Sequence, residues 1–234
     1  MIAFYAQSHY SLLRGVASPA SIPELAAANG YEGALLADRD SLAGAAEFFR
    51  AAEAAGIAAY AGVELADRER CAALLVIRNR EGYEAASALI SARNLDADFT
   101  LRAALRDVPA GLFVAAGDAA LARDLAPALP PDRLGVLLLR PAATATWERA
   151  QIETARALAL PLVAACRFVY VREEDLETGR LLRAIGDGAL RHAAAAPSPR
   201  ELLLPAPRAA ALFGDVPEAL RAARAVLEGA DFRW

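Results

Sequence analysis

Residues 33–64 read GALLADRDSLAGAAEFFRAAEAAGIAAYAGVE, and this stretch contains a strand–helix–strand unit. The apolar run at 33–37 predicts a buried strand, and the alanine-rich segment at 42–55 predicts a helix that ends at Gly56. A second short strand is predicted at 58–61. A helix placed between two apolar strands is typical of an α/β protein.

The same alternation continues along the rest of the chain. Further strands are predicted at 2–7, 72–77, 112–116, 134–139 and 162–165. Further helices are predicted at 21–29, 82–92, 100–105, 119–125, 145–158, 175–185, 208–213 and 217–229. Apolar strands separated by helices predict parallel strands covered by helices. A closed barrel and a doubly wound sheet both satisfy this pattern.

One helix start carries its own signal. Ser21-Ile22-Pro23-Glu24 has the spacing of a capping box, in which a serine and a glutamate satisfy the first backbone N–H groups. Proline is tolerated in the first helical turn. The sequence therefore predicts a helix that begins at Ser21 with its own side-chain cap.

The composition limits the classes of function. The chain has 234 residues, of which 56% are hydrophobic and 23% charged, enough to bury a sizeable core. Its net charge of −4 argues against a generally basic nucleic-acid-binding face. All the basic residues are arginine. No uninterrupted apolar stretch reaches the ~18 residues of a membrane span, so we expect no membrane association.

The cysteines, the histidines and the amino terminus suggest a cytoplasmic protein without a small metal motif. Cys71 and Cys166 lie far apart and form no CxxC pair, which argues against a zinc knuckle and fits a reducing compartment. We expect Cys166 to be a buried apolar residue. We expect His9 and His192 to be solvated and not metal ligands. The opening MIAFYAQSHYSLLRG predicts a strand, not a secretion signal.

A composition change near 192–199, rich in alanine and proline, predicts an exposed connection. We therefore predict one α/β domain over residues 1–192, followed by a linker and helical extension over 193–234. So short an extension cannot bury a core of its own, and we expect its helices to pack on the main body.

Several segments, in order and with matched spacing, resemble the PHP (polymerase and histidinol phosphatase) domain at the front of bacterial DNA polymerase III alpha subunits. They include the opening YAQSHYSLLRG, the segment LLADRDSLAGAAEFFRAAEAAGI and the Gly-Val-Glu at 62–64. The resemblance continues through PLVAACRFVYVREEDLETGRLLRAIGDG. It implies a distorted seven-stranded (β/α)7 TIM-like barrel with its site at the carboxyl ends of the strands.

The resemblance also implies a site for divalent metals, held in active PHP domains by histidines and carboxylates. Carried onto this sequence, the ligand positions fall on Tyr5, Gln7, Asp38, Arg39, Glu64, Ala72, Asp118, Arg167 and Val169. Only Asp38, Glu64 and Asp118 in this set are ordinary metal ligands. We therefore expect a degenerate pocket in which Arg39 and Arg167 replace the metal charge by pairing with these carboxylates.

The function implied by the resemblance is that of a catalytically inactive PHP protein without a cofactor, a pseudoenzyme. It would act as a scaffold or interaction module in DNA replication or repair, with a DNA polymerase or repair protein as partner. Direct contact with DNA stays open. One alternative is a residual Zn- or Mn-dependent phosphoesterase or 3′–5′ exonuclease that uses Asp38, Glu64 and Asp118. Another is a phosphate- or nucleotide-binding module based on Arg39 and Arg167.

Overall fold

A computed structural model describes residues 4–67, 72–141, 143–189 and 198–234, in which seven strands form one closed barrel. The strands are β1 (Phe4–Ala6), β2 (Gly33–Arg39), β3 (Ala58–Ala66), β4 (Ala72–Ile77), β5 (Leu112–Ala116), β6 (Leu134–Leu139) and β7 (Leu162–Phe168). The barrel closes where β1 pairs with β7. Of the two architectures compatible with the sequence, the closed barrel is therefore the one that forms.

Helices cover the outside of the barrel and follow most of the strands. They are α1 (Ser21–Ala28), α2 (Ala45–Ala55), α3 (Arg80–Leu95), α4 (Leu101–Ala104), α5 (Ala119–Leu125), α6 (Ala145–Ala157), α7 (Asp175–Gly186), α8 (Ala206–Ala211) and α9 (Pro217–Glu228). A short 3-10 helix at Pro199–Glu201 precedes α8. Gly56 has a left-handed φ of 70° and ends α2, as predicted.

The prediction of parallel strands throughout is wrong at β4. This strand runs antiparallel to both of its neighbours, β3 and β5. Only five residues separate the end of β3 at Ala66 from the start of β4 at Ala72, which is too short for a parallel crossover. As a consequence, the amino end of β4 lies beside the carboxyl ends of the other strands.

Three strands extend further than their apolar runs predict. β2 continues through Arg39, β3 through Ala66 and β7 through Phe168. Register explains the extension, because Arg39 lies opposite Glu64 and Tyr5 lies opposite Arg167 in the sheet. Each of these polar residues keeps its backbone in the hydrogen-bonded ladder while its side chain reaches the barrel opening.

The predicted capping box at Ser21 does not form. Ala20 occupies the cap position in a helical conformation, with no side-chain hydrogen bond to the helix. Instead, the Ser21 backbone N–H donates to the hydroxyl of Ser18 at 3.2 Å. Ser18 thus performs, three residues earlier, the role that the spacing had suggested for Ser21.

Helix α9 closes the amino-terminal end of the barrel. Its residues Ala223, Val226 and Leu227 face interior side chains that include Leu35 and Val163. All three α9 residues are buried. The floor of the barrel is therefore apolar and covered, and the polar interior residues are concentrated at the opposite end, the barrel mouth.

Some expectations concern residues outside those described. Cys71 and His192 belong to this group, as does most of the predicted connection at 192–199. Cys166 is fully buried, as predicted, and burial raises the pKa of its thiol to about 12. In the described ranges, no helix combines the length and hydrophobicity needed to cross a membrane.

Candidate functional site at the barrel mouth

The barrel mouth contains a cavity of about 580 Å³, built on the strand ends that the register aligns. Side chains alternate between the interior and the exterior of a barrel along each strand, and interior residues of several strands meet at this end. The cavity lining consists of Tyr5, Arg39, Glu64, Ala66, Ala72, Ala73, Leu74, Gly117, Leu137, Leu139, Ala143, Thr144, Trp147 and Arg167. The mouth is therefore charged on one side and apolar on the other.

Glu64 is the centre of the charged side. Its carboxylate accepts a hydrogen bond from the Tyr5 hydroxyl at 2.8 Å and another from Arg167 Nη1 at 3.2 Å. Arg39 Nη1 lies 3.6 Å and Arg14 Nη1 3.9 Å from its other oxygen. Burial by itself would raise the pKa of Glu64, but Arg167, Arg14 and Arg39 together hold it below its ordinary value.

Arg167 links Glu64 to a second buried carboxylate, that of Glu201. Arg167 Nη2 donates to Glu201 Oε1 at 2.7 Å and Nε donates to the same oxygen at 3.0 Å. Arg183 Nη2 donates to the other oxygen of Glu201 at 3.1 Å. Although burial lowers the pKa of Arg167, Tyr5 and the two carboxylates more than offset this and raise it. The result is a continuous chain of alternating charges.

Asp38 lies apart from this charge chain. It neighbours Arg39 on β2 and therefore faces the opposite side of the strand. Its carboxylate accepts hydrogen bonds from the Ser8 N–H at 2.6 Å, the Ser8 hydroxyl at 2.7 Å and the Ser11 hydroxyl at 2.7 Å. Burial raises its pKa although these bonds oppose the shift. The expected pairing of Asp38 with arginine is wrong, because serines bind it instead.

Asp118 is also directed elsewhere. Its side chain accepts a hydrogen bond from the Leu121 N–H at 2.8 Å and caps the start of α5. The three carboxylates expected at one site therefore do not converge. Of the three, Glu64 alone lines the cavity.

The other positions inherited from the ligand pattern carry no metal donor of the usual kind. Ala72 lies on the cavity wall and Val169 is buried. Gln7 follows β1, and its N–H donates to the Phe168 carbonyl at 2.8 Å, which extends the ladder by one rung. The Gln7 side chain is 1% exposed, and among the described residues neither its oxygen nor its nitrogen has a hydrogen-bond partner.

Four residues important to this site were not predicted. Arg14 lies in the loop after β1, Arg183 on α7 and Glu201 in the short helix after the predicted linker. Trp147 lies in the first turn of α6, and its indole N–H donates to the Gly117 carbonyl at 3.2 Å. Glu201, which pairs with Arg167, is 34 residues away in sequence, so no local pattern could reveal it.

The residues present do not fit a divalent metal cluster. In the described part of the chain, no three His, Cys, Asp or Glu side chains are grouped closely enough to hold a metal ion. One Glu64 oxygen is already bound by Tyr5 and Arg167. Three guanidiniums around the same carboxylate would also repel a cation.

Comparison with known sequences finds similarity to error-prone DNA polymerases. The chain is 36% identical over 105 residues to an error-prone DNA polymerase of Burkholderia mallei. This match covers 40% of this chain and 10% of the polymerase. It is also 35% identical over 96 residues to an error-prone DNA polymerase of Corynebacterium efficiens. That match covers 41% of this chain and 9% of the polymerase. The matched region thus spans about a tenth of these relatives.

Solved structures with a similar backbone are distant in sequence. One is a Bifidobacterium adolescentis protein described as a metal-dependent phosphoesterase, with 17% identity and a TM-score of 0.49. That match covers 70% of this chain and 86% of the other. Another is an amidohydrolase from Chromobacterium violaceum, with 15% identity, a TM-score of 0.38 and coverage of 80% and 84%.

The family comparison covers three of the four strands that carry the charged side of the mouth, namely β1, β2 and β3. A family model of the PHP domain matches residues 5–129, more than half of the chain, and these residues include Tyr5, Arg39 and Glu64. This match confirms the resemblance seen in the sequence, and with the closed seven-stranded barrel it establishes that the chain belongs to the PHP domain family.

Proposed function

We propose that this chain is a non-catalytic PHP domain in which an arginine–carboxylate cluster replaces the metal site. The observation that carries the proposal is the position of Arg167, whose guanidinium joins Glu64 and Glu201 at the barrel mouth. A fixed guanidinium supplies positive charge to buried carboxylates, as a metal ion would, but it cannot activate a water molecule.

We further propose that the domain acts as a scaffold or interaction module in DNA replication or repair. This part is supported by its relatives, which are error-prone DNA polymerases that it matches over about a tenth of their length. The partner would be a DNA polymerase or a repair protein. The chain's own site supports a structural role because each charge of the Glu64–Arg167–Glu201 series is paired internally.

The alternative of a residual phosphoesterase or exonuclease requires Asp38, Glu64 and Asp118 to act together. Asp38 is bound by Ser8 and Ser11, and Asp118 caps α5. A reaction at the mouth would therefore have one carboxylate where several metal ligands are needed. This geometry favours the non-catalytic proposal.

The test of the catalytic part is elemental analysis of the purified protein together with a phosphoesterase assay in added manganese or zinc. We expect no stoichiometric transition metal and no turnover above that of a Glu64→Gln variant. Stoichiometric metal, with turnover that Glu64→Gln abolishes, would overturn the proposal.

The scaffold part is tested by size-exclusion chromatography with purified polymerases and repair proteins from the same cells. Failure of all of them to form a complex at micromolar concentration would contradict it.

A further inference from the structure

Helix α7 and the loop after β1 expose large apolar side chains next to one another. Leu181 and Ile185 lie one helical turn apart on α7 and are 44% and 68% exposed. Leu12 is 80% exposed and Leu13 is 43% exposed. The Leu13 side chain contacts α7, since its Cδ1 lies 3.4 Å from the position that a Cβ on Gly186 would take. The four exposed side chains therefore form one continuous apolar patch, which we call the α7 surface.

Helix α7 leaves its own larger apolar side chains uncovered. All 12 of its residues are described, and the two that are buried, Gly179 and Ala184, are small. The helix is attached to the rest of the domain through Arg183, which donates to Glu201 at 3.1 Å. An exposed apolar patch on a folded protein marks an interaction site more often than a single exposed side chain does.

The loop after β1 holds its two leucines at the surface in a strained conformation. Leu13 has a φ of 61°, in the left-handed region, where the Cβ of a leucine crowds its own backbone. The loop fixes this conformation because the N–H groups of Arg14 and Gly15 both donate to the Ser11 carbonyl at 3.0 Å. Strained residues of this kind are found mainly at functional sites, which gives Leu13 and its neighbour Leu12 a reason to be exposed.

The border of the α7 surface is mainly acidic. Four exposed carboxylates lie on α7 or beside its ends, those of Glu173, Glu174, Glu177 and Asp187. Glu177 lies one helical turn before Leu181 and therefore adjoins it on the same face. Among the arginines of this segment, Arg172 is exposed, whereas Arg180 and Arg183 are half-buried. A partner that covered the leucines would therefore meet more negative than positive charge at their edge.

This charge decides between a second copy and a different partner. A two-fold contact uses the same patch on both molecules, so a second copy would bring one acidic border against another. Like charges at a contact act against that partner. A basic amphipathic helix has the opposite property, because its apolar side chains recur at i, i+4 and i+7 and its lysines or arginines flank them.

We propose that the α7 surface docks a basic amphipathic helix of a partner protein. The apolar stripe of that helix packs on the four exposed side chains, and its lysines or arginines pair with Glu177 and Asp187. The inference rests on the proposed role of the domain as an interaction module and gives that role a surface. All four apolar residues lie outside the lining of the mouth cavity, so docking here leaves the arginine–carboxylate cluster in place.

The test is fluorescence anisotropy of labelled synthetic peptides of about 18 residues, roughly five helical turns, titrated with the full chain. One peptide carries leucines at i, i+4, i+7 and i+11 with lysines beside them, a second replaces the lysines by glutamates, and a third scrambles the first. We expect the lysine peptide to bind, with an affinity that falls as salt is added. The glutamate peptide should bind at least about 10-fold more weakly and the scrambled peptide not at all. Absence of binding by the lysine peptide at submillimolar protein, or equal binding of the lysine and glutamate peptides, would overturn the inference.

Matched variants locate the bound peptide. Ile185→Ser and Leu12→Ser should each weaken binding of the lysine peptide by about 10-fold or more, because each removes an apolar anchor. Leu95→Ser is the control, since Leu95 is 87% exposed at the end of α3, which packs against β4 and β5. Glu177→Lys should shift the preference from the lysine peptide to the glutamate peptide. Thermal melting verifies the folding of each variant, and unchanged binding in Ile185→Ser and Glu177→Lys would contradict the inference.

Two further measurements separate this inference from its alternatives and from the proposed function. In analytical ultracentrifugation, a wild-type dimer that Ile185→Ser converts to a monomer would assign the α7 surface to a second copy and overturn the inference. A polymerase or repair protein that bound wild type and Ile185→Ser equally would support the scaffold proposal and contradict the α7 surface. Peptide binding at this surface, with no complex formed by any of those proteins, would support the surface and contradict the proposed class of partner.

Discussion

Arg167 on β7 and Glu64 on β3 meet across the barrel mouth, where Arg167 Nη1 donates a hydrogen bond to Glu64 Oε2 at 3.2 Å. The two residues are 103 positions apart in sequence. Tyr5 donates to the same oxygen from β1, which pairs with β7 on one side and with β2 on the other. This contact therefore ties together strands that are distant in sequence.

Arg167→Met should destabilise the protein by about 3–5 kcal/mol, because it removes the shared cation from two buried carboxylates while keeping much of the side-chain volume. Urea unfolding at neutral pH measures the effect. Arg224→Met is the control, since Arg224 forms an exposed pair with Glu228 on α9 and should change stability little. Equal effects in the two variants would show that the buried pairs contribute nothing.

Glu64→Gln should alter the pH dependence of stability. The pKa of Glu64 is lowered from its ordinary value of 4.5, so its charge stabilises the fold above about that pH. This contribution is lost as the pH falls through the folded pKa. The difference in unfolding free energy between wild type and Glu64→Gln should therefore be largest at neutral pH and shrink in acid. A difference that stays constant from neutral pH into strong acid would be inconsistent with the arginine contacts.

Asp38→Asn should destabilise the loop after β1, because an amide cannot accept all three hydrogen bonds that Ser8 and Ser11 donate. We expect a loss of about 1–3 kcal/mol and faster hydrogen exchange at the Ser8 amide. Asp107→Asn, on the surface, is the control. If the Ser8 amide exchanged at the same rate in both variants, the role of Asp38 in holding the loop would be disproved.

Stability should also respond to pH through Asp38, in the opposite direction to Glu64. Burial raises the pKa of Asp38 from its ordinary value of 3.8, so ionisation is less favourable in the folded state. The resulting cost appears as the pH rises from about 3.8 through the folded pKa. Nuclear magnetic resonance titration of the side-chain carboxyl carbons would measure both pKa values directly. A pKa of Asp38 below 3.8 would contradict this prediction.

Gly15→Ala should disrupt the same loop by a steric route. A Cβ at Gly15 would lie 1.8 Å from the Ser8 carbonyl oxygen, and a backbone atom cannot move away cheaply. We expect a loss of at least about 1–3 kcal/mol, as in overpacked sites. Gly214→Ala is the matched control, because its added Cβ would meet nothing closer than 3.5 Å. Thermal unfolding of the pair measures the difference.

The elements of the barrel were largely predictable, and their ends at the mouth were not. The apolar runs at Ala72–Ile77, Leu112–Ala116 and Leu134–Leu139 form strands with the predicted bounds. β2 and β7 were predicted too short because charged residues usually mark the end of a strand. At the mouth the ladder continues beneath Arg39 and Arg167, since pairing with neighbouring strands satisfies the backbone.

Only some of the residues in the charge cluster could be predicted from the sequence. Alternation along β2 already implies that Asp38 and Arg39 face opposite sides, and this simple rule separates Asp38 from the cavity. Glu201 could not have been placed by any local rule. It reaches Arg167 because the segment after residue 198 packs beside β7, where the Val169 N–H donates to the Glu201 carbonyl at 3.0 Å.

The closure of the barrel floor by α9 has a kinetic consequence. Ala223, Val226 and Leu227 cover the amino-terminal end, so a molecule held at the mouth must arrive and depart by the same route. The loop that carries Arg14 borders this route, and it also presents Leu12, which is 80% exposed. Solvent that reaches the Glu64–Arg167 pair from the mouth therefore passes the side chains that line the cavity, while the covered floor shields the pair from below.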